Sequence, residues 1–110
     1  MRYTITGRNI DVTPGLREAV IEKIGKLERY FNQDTEAIIT LSVTKDRQKI
    51  EVTIPVKGHI IRAEEQSTDM YVSIDLVEEI IERQLKKYKT KLIDKKQSHI
   101  DFSEFYVQEE

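Results

Sequence analysis

The chain has 110 residues, 38% hydrophobic and 35% charged, a balance that fits one charge-rich globular domain and excludes a low-hydrophobicity disordered polymer. No apolar run approaches the roughly 20 residues that a membrane-spanning helix needs, and the lack of cysteine removes disulfides and thiolate metal ligands. The net charge of −2, taken as a sum, argues against a polyanionic partner.

Residues Met1 to Ile10 alternate polar and apolar side chains and lack the continuous apolar stretch of a secretory signal. Tyr3, Ile5 and Gly7 alternate with Thr4, Thr6 and Arg8 as a first strand, and Ile10 and Val12 extend it. Thr13-Pro14 then supplies a hydroxyl N-cap followed by proline at the first helical position. Leu16, Val20, Ile24, Leu27 and Phe31 recur at helical spacing on one face, so a helix is expected to about Asn32. Gly25 falls inside that helix, at a cost of about 1 kcal/mol relative to alanine.

Three strands follow in quick succession. Ala37, Ile39, Leu41 and Val43 form the apolar set of the second, and Ile50, Val52, Ile54 and Val56 that of the third. A fourth runs through Ile61 and Ala63 to about Gln66. Lys45-Asp46-Arg47 and Lys57-Gly58-His59 are the turns between them. Pro55 has no N–H to give a ladder, so it belongs at an edge or on an unpaired side. Ser67-Thr68-Asp69 offers caps for a long second helix. Its stripe is Met70, Ile74, Val77, Ile81, Gln84, Leu85, Tyr88 and Leu92, uninterrupted to Lys96.

The order is β-α-β-β-β-α. Short turns imply an antiparallel meander, while the helical crossover after the first strand permits a parallel pairing. The expected fold is a two-layer α+β domain over residues 1–96, with a four-stranded sheet and two helices packed on one face. Thr40, Ser42, Glu51 and Thr53 would line the open face. Residues 97–110, with four acids and no base, read as an acidic flexible tail or linker.

Charge is unevenly distributed. Arg83 to Lys96 holds seven bases and one acid, a segment charge of +6, which leaves −8 for the rest of the chain. Arg83 and Lys87 lie four apart, opposite the apolar stripe, with Lys86 beside them and Lys91 flanking. Lys23, Lys26 and Arg29 form a line along the first helix. Side by side, the two rows would frame one positive groove suited to phosphates, whose condensed counterions several cations release together. The alternative is a solvated face with cations favourably placed near a helix C-terminus. A further rival is a protein-interaction domain whose basic helix meets an acidic partner. Glu78, Glu79 and Glu82 read as solubilising ion pairs on an exposed helical face. His59 and His99 have no ligand set around them. No phosphate loop, nucleophile motif or metal motif is present, so neither an enzyme nor a bound cofactor is expected. The strands lack paired aromatics for reading single-stranded RNA. Tyr30, Phe31 and Tyr71 fit helix ends and core margins better than base stacking.

Three separated segments resemble the ribosome hibernation promoting factor family, which includes ribosome-associated inhibitor A. They are Gly7 to Pro14 (GRNIDVTP), Lys23 to Phe31 (KIGKLERYF), and Asp69-Met70-Tyr71 followed by Ile74-Asp75 and Glu82 to Leu85. The first two look most like the N-terminal domain of the family's long form. The resemblance implies a fold similar to a double-stranded-RNA-binding domain. It further implies docking on the small ribosomal subunit over the messenger and transfer-RNA sites, inhibition of translation under stress or in stationary phase, and a cytoplasmic location. Family basic positions correspond to Lys23, Lys26, Arg29, Arg83, Lys87 and Lys91, with Lys86 beside them. Ile80 stands where the family often has a base, which implies one phosphate contact fewer or a shift of that contact to Lys86. The long form's C-terminal dimerisation domain has no counterpart here. The expected species is therefore a monomer, either a natural short form or the first part of a parent that dimerises. A general double-stranded-RNA-binding module is the alternative function.

Overall fold

A computed structural model of the protein describes residues 1–56 and 58–95, with side chains up to Lys87. The elements are β1 (Arg2–Arg8), α1 (Pro14–Gly25), β2 (Glu36–Thr44), β3 (Arg47–Val56), β4 (His59–Ser67) and α2 (Met70–Lys95). One 3₁₀ turn, Glu28–Tyr30, follows α1. The strands form a single sheet in chain order, β1-β2-β3-β4. β1 lies parallel to β2, and β2, β3 and β4 are antiparallel. This is the expected α+β architecture, with the parallel pairing made possible by the crossover through α1.

Register follows the period-2 pattern. Ile39 faces Val52, and Val52 faces Ala63, so buried side chains stack on the helix-covered side. Thr40, Glu51 and Glu64 form the matching row on the other side, each at least partly exposed. A one-residue slip would exchange these two rows. Pro55 lies beyond Thr53, the last β3 residue paired with β2, so no β2 carbonyl lacks a donor because of it. Two glycines are required by geometry. Gly58 turns the chain at φ +75°. A Cβ at Gly7 would collide with the Ile10 carbonyl oxygen, because the chain folds back over the end of β1.

The apolar stripe of the first helix is buried as expected, but the helix is shorter than the stripe. α1 begins with Thr13 Oγ1 accepting from the Leu16 N–H at 3.1 Å and ends at Gly25. Leu27, Tyr30 and Phe31 reach the core through the 3₁₀ turn instead. Gly25 therefore closes the helix rather than interrupting it. The Tyr3 hydroxyl lies against Gly25 and donates to the Glu28 carboxylate, which ties this turn to β1. Burial, then the Glu28 carboxylate, pushes the Tyr3 phenol well above its usual range.

α2 is capped by Asp69, whose carboxylate accepts from the Tyr71 N–H at 2.9 Å. Met70, Ile74, Val77, Ile81 and Leu85 are buried on the sheet. Gln84 is exposed, contrary to its place in the expected stripe. Its amide donates to the Arg62 carbonyl, so it borders β4 rather than the core. Ser73 is buried, and its hydroxyl donates to the Gln48 carbonyl at 2.6 Å, pinning α2 to β3. The side chains of Tyr88 and Leu92 lie outside the described residues, as do residues 97–110, expected to be a tail.

Candidate nucleic-acid interface

The 3.6-residue period fixes what α2 presents on each side. With Ile74, Val77 and Ile81 on the sheet, Arg83, Lys86 and Lys87 point to solvent, and all three are exposed. Asp75, Glu78 and Glu82 turn toward α1. Lys23 Nζ lies 3.0 Å from Asp75, and Arg29 lies 3.6 Å from Glu82. The Lys26 charge acts on Glu78. Two cations from the α1 side thus pair with two carboxylates from α2, and the Lys26 charge partly offsets that of Glu78.

The single positive groove expected from two neighbouring basic rows is therefore not formed. The rows are parted by a line of acids, because the flank of α2 nearest α1 is its acidic one. Two different cation sets result. Arg83 and Lys87 are in no ion pair among the described residues, and Lys86 only approaches Glu82, at 3.8 Å. Lys23 and Arg29 sit against carboxylates, and exposed Lys26 lies within the field of Glu78. Arg29 is also held over the Tyr30 ring, 5.1 Å from its centroid, and donates to the Tyr30 hydroxyl. Exposed ion pairs contribute only about 0–1 kcal/mol each, so a phosphate can replace the carboxylate at each position. Lys91 lies on α2, with its side chain outside the described residues.

Glu78 corrects a second expectation. It is 8% exposed rather than on an open helical face. Burial, then the neighbouring Glu82 charge, raises its carboxyl above the usual range, and Lys26 and Lys23 only partly oppose this. An acid whose folded pKa is raised loses stability as pH climbs from its unfolded value through the folded one. Glu78→Gln is therefore expected to melt higher than the native chain at neutral pH. The difference should shrink as pH falls toward 4.5, the ordinary value for this carboxyl. Melting curves across that range check it, and a lower melting point at neutral pH would show that attraction to Lys26 dominates instead.

Asp75 joins the site only in three dimensions. The available signal was the i, i+3, i+7 spacing of Asp75, Glu78 and Glu82, which nearly matches the i, i+3, i+6 spacing of Lys23, Lys26 and Arg29. Among the described residues, no group of His, Asp and Glu could hold a metal ion, and no helix is long and apolar enough to cross a membrane.

The family model described as Sigma 54 modulation protein / S30EA ribosomal protein matches residues 3–93. The chain is similar to the ribosome hibernation promotion factor of Lactococcus lactis, 50% identical over 95 residues, covering 84% of this chain and 51% of that protein. The Deinococcus radiodurans factor of the same name is 44% identical over 100 residues, covering 86% and 52%. The chain thus spans about half the length of these curated relatives. Among solved structures, the N-terminal domain of Thermus thermophilus Protein Y superposes with a TM-score of 0.73 at 29% identity, covering 80% of this chain and 99% of that one. A ribosomal subunit interface protein from Coxiella burnetii gives 0.74 at 28% identity, covering 82% and 99%. Fold, family model and relatives agree with the three sequence segments, and the chain belongs to the Sigma 54 modulation protein / S30EA ribosomal protein family, which includes the ribosome hibernation promotion factors.

Proposed function

We propose that this chain binds ribosomal RNA on the small subunit, occupies the messenger and transfer-RNA sites, and holds translation off under stress or in stationary phase. The observation that carries this reading is the row Arg83, Lys86 and Lys87, exposed on a helix whose other face is locked into the core. The helix backbone fixes the spacing of these cations along a row of phosphates, and counterion release supplies the free energy. Lys91 follows Lys87 by four residues on α2. Lys23, Lys26 and Arg29 join by exchanging carboxylates for phosphates. The relatives' names and the neighbouring subunit interface protein support the ribosome, rather than any duplex RNA, as the target. The action is steric and cytoplasmic, with no cofactor and no reaction catalysed. The chain works as a monomer, and any dimerisation belongs to a further domain of a full-length parent.

Titrating the chain into a translation reaction tests this. Synthesis is expected to fall only as the chain approaches the ribosome concentration, and excess messenger with initiator transfer RNA should restore it. The chain should also co-sediment with purified small subunits and prefer them to free duplex RNA. Inhibition at a small fraction of the ribosome concentration would indicate catalysis. Equal preference for duplex would reduce the chain to a general RNA-binding module.

A further inference from the structure

The groove between α1 and α2 contains a pocket of about 300 Å³, lined by Ala19, Glu22, Lys23, Tyr71, Ile74 and Asp75. Its apolar floor is Ala19 from α1 and Ile74 from α2. One wall is Tyr71, which is 51% exposed although it stands in the first turn of α2 beside buried Met70. Its hydroxyl reaches the start of α1, where a Cβ on Gly15 would lie 3.4 Å from it. The ring is thus laid across the groove. Further along, one turn on from Tyr71 in α2 and two turns on from Gly15 in α1, the Lys23–Asp75 pair closes the other end at 3.0 Å. The exposed Glu22 stands on the rim.

We infer that this pocket takes one unstacked nucleobase of the bound RNA, with guanine preferred. The inference rests on the RNA-binding reading above for the source of the base. A flat heterocycle fits a shallow apolar slot with an aromatic wall, which is how proteins hold bases splayed out of loops and bulges. Lys23 belongs both to the pocket and to the cation row, so a phosphate drawn to the row brings its own base to the slot. Apart from the Tyr71 hydroxyl, which reaches toward Gly15, the remaining polar groups of the pocket are carboxylates, which only accept. Guanine presents two donors, N1–H and N2–H, on one edge, and a carboxylate can receive both. Glu22 is placed for this, and Asp75 is freed to join when Lys23 turns to a phosphate. Uracil offers a single N–H flanked by carbonyl oxygens, which the carboxylates repel. A paired, stacked base cannot enter, so the pocket discriminates folded RNA with extruded bases from plain duplex.

The test follows the Ala19 and Ile74 methyl resonances of the full chain as GMP, CMP or UMP is added, and separately measures affinity for small subunits. GMP is expected to shift both methyls, with CMP weaker and UMP weakest. Tyr71→Leu, which keeps the apolar bulk, should abolish the shifts and weaken subunit binding about tenfold, or about 1.4 kcal/mol. Tyr71→Phe should retain both. Unmoved methyls with every nucleotide, or a Tyr71→Leu chain that binds subunits like the native one, would overturn the pocket assignment. Methyl shifts without any subunit binding by the native chain would instead uphold the pocket and refute the ribosomal target.

Discussion

Reversing Arg83, Lys86 and Lys87 to glutamate is expected to abolish co-sedimentation with small subunits while leaving the fold intact. All three side chains are exposed and none contributes to the core, so the melting temperature should move little. Each phosphate contact adds about 0.7–0.9 to the slope of log affinity against log salt, so replacing the same three residues by neutral glutamine should flatten that slope by about 2 to 3. A fourfold rise in salt then discriminates native from variant by roughly 20- to 40-fold through these contacts alone. The acidic line on α2 supplies the opposite control. Glu82 lies near both Arg29 and Lys86, so Glu82→Gln should release two cations, tighten binding and steepen the slope. Native-like binding by the triple variant would remove α2 from the interface. Weaker binding by Glu82→Gln would mean that the carboxylate holds Arg29 in its productive position.

Ile81→Ala is expected to destabilise the domain by about 2–5 kcal/mol, the usual range for truncating a buried isoleucine where the surroundings cannot close over the cavity. Ile81 is fully buried between α2 and the sheet. A loss of that size lowers the melting temperature of a domain this small by roughly 8–40 °C. Ile80, its chain neighbour, is only partly buried against the same core. Ile80→Ala makes the same chemical change and should cost clearly less. Thermal melts of the two variants compare one side of the helix with the next. Equal losses would mean that the facing of α2 is wrong, and with it the outward direction of Arg83 and Lys87.

The alternation of Ile39, Leu41 and Val43 and of Ile50, Val52 and Ile54 was enough to place both central strands and their buried faces. Only one face of a pleated strand can meet the core, so side-chain order along the chain is side-chain order in space. The stripe Leu16 to Phe31 identified the buried residues of the first helix but not its end. Leu27 and Phe31 are equally well buried from a 3₁₀ turn, and the tie from Tyr3 to Glu28 that accompanies this turn joins residues 25 apart. Gly7 looked like an ordinary strand position, since nothing in the chain before it shows that the Ile10 carbonyl returns over it.

The same division holds at the interface. Exposure of Arg83, Lys86 and Lys87 was determined by sequence alone, because their phase relative to Ile74, Val77 and Ile81 is a property of one helix. The relation of Lys23, Lys26 and Arg29 to α2 was not, because it depends on how two helices rotate about their axes when they pack. Hydrophobic periodicity fixes each helix against the sheet, and the flank then turned toward the neighbour follows from packing. Tertiary structure alone decided that this flank carries Asp75, Glu78 and Glu82, which part the two cation rows and leave the Tyr71 pocket between the helices.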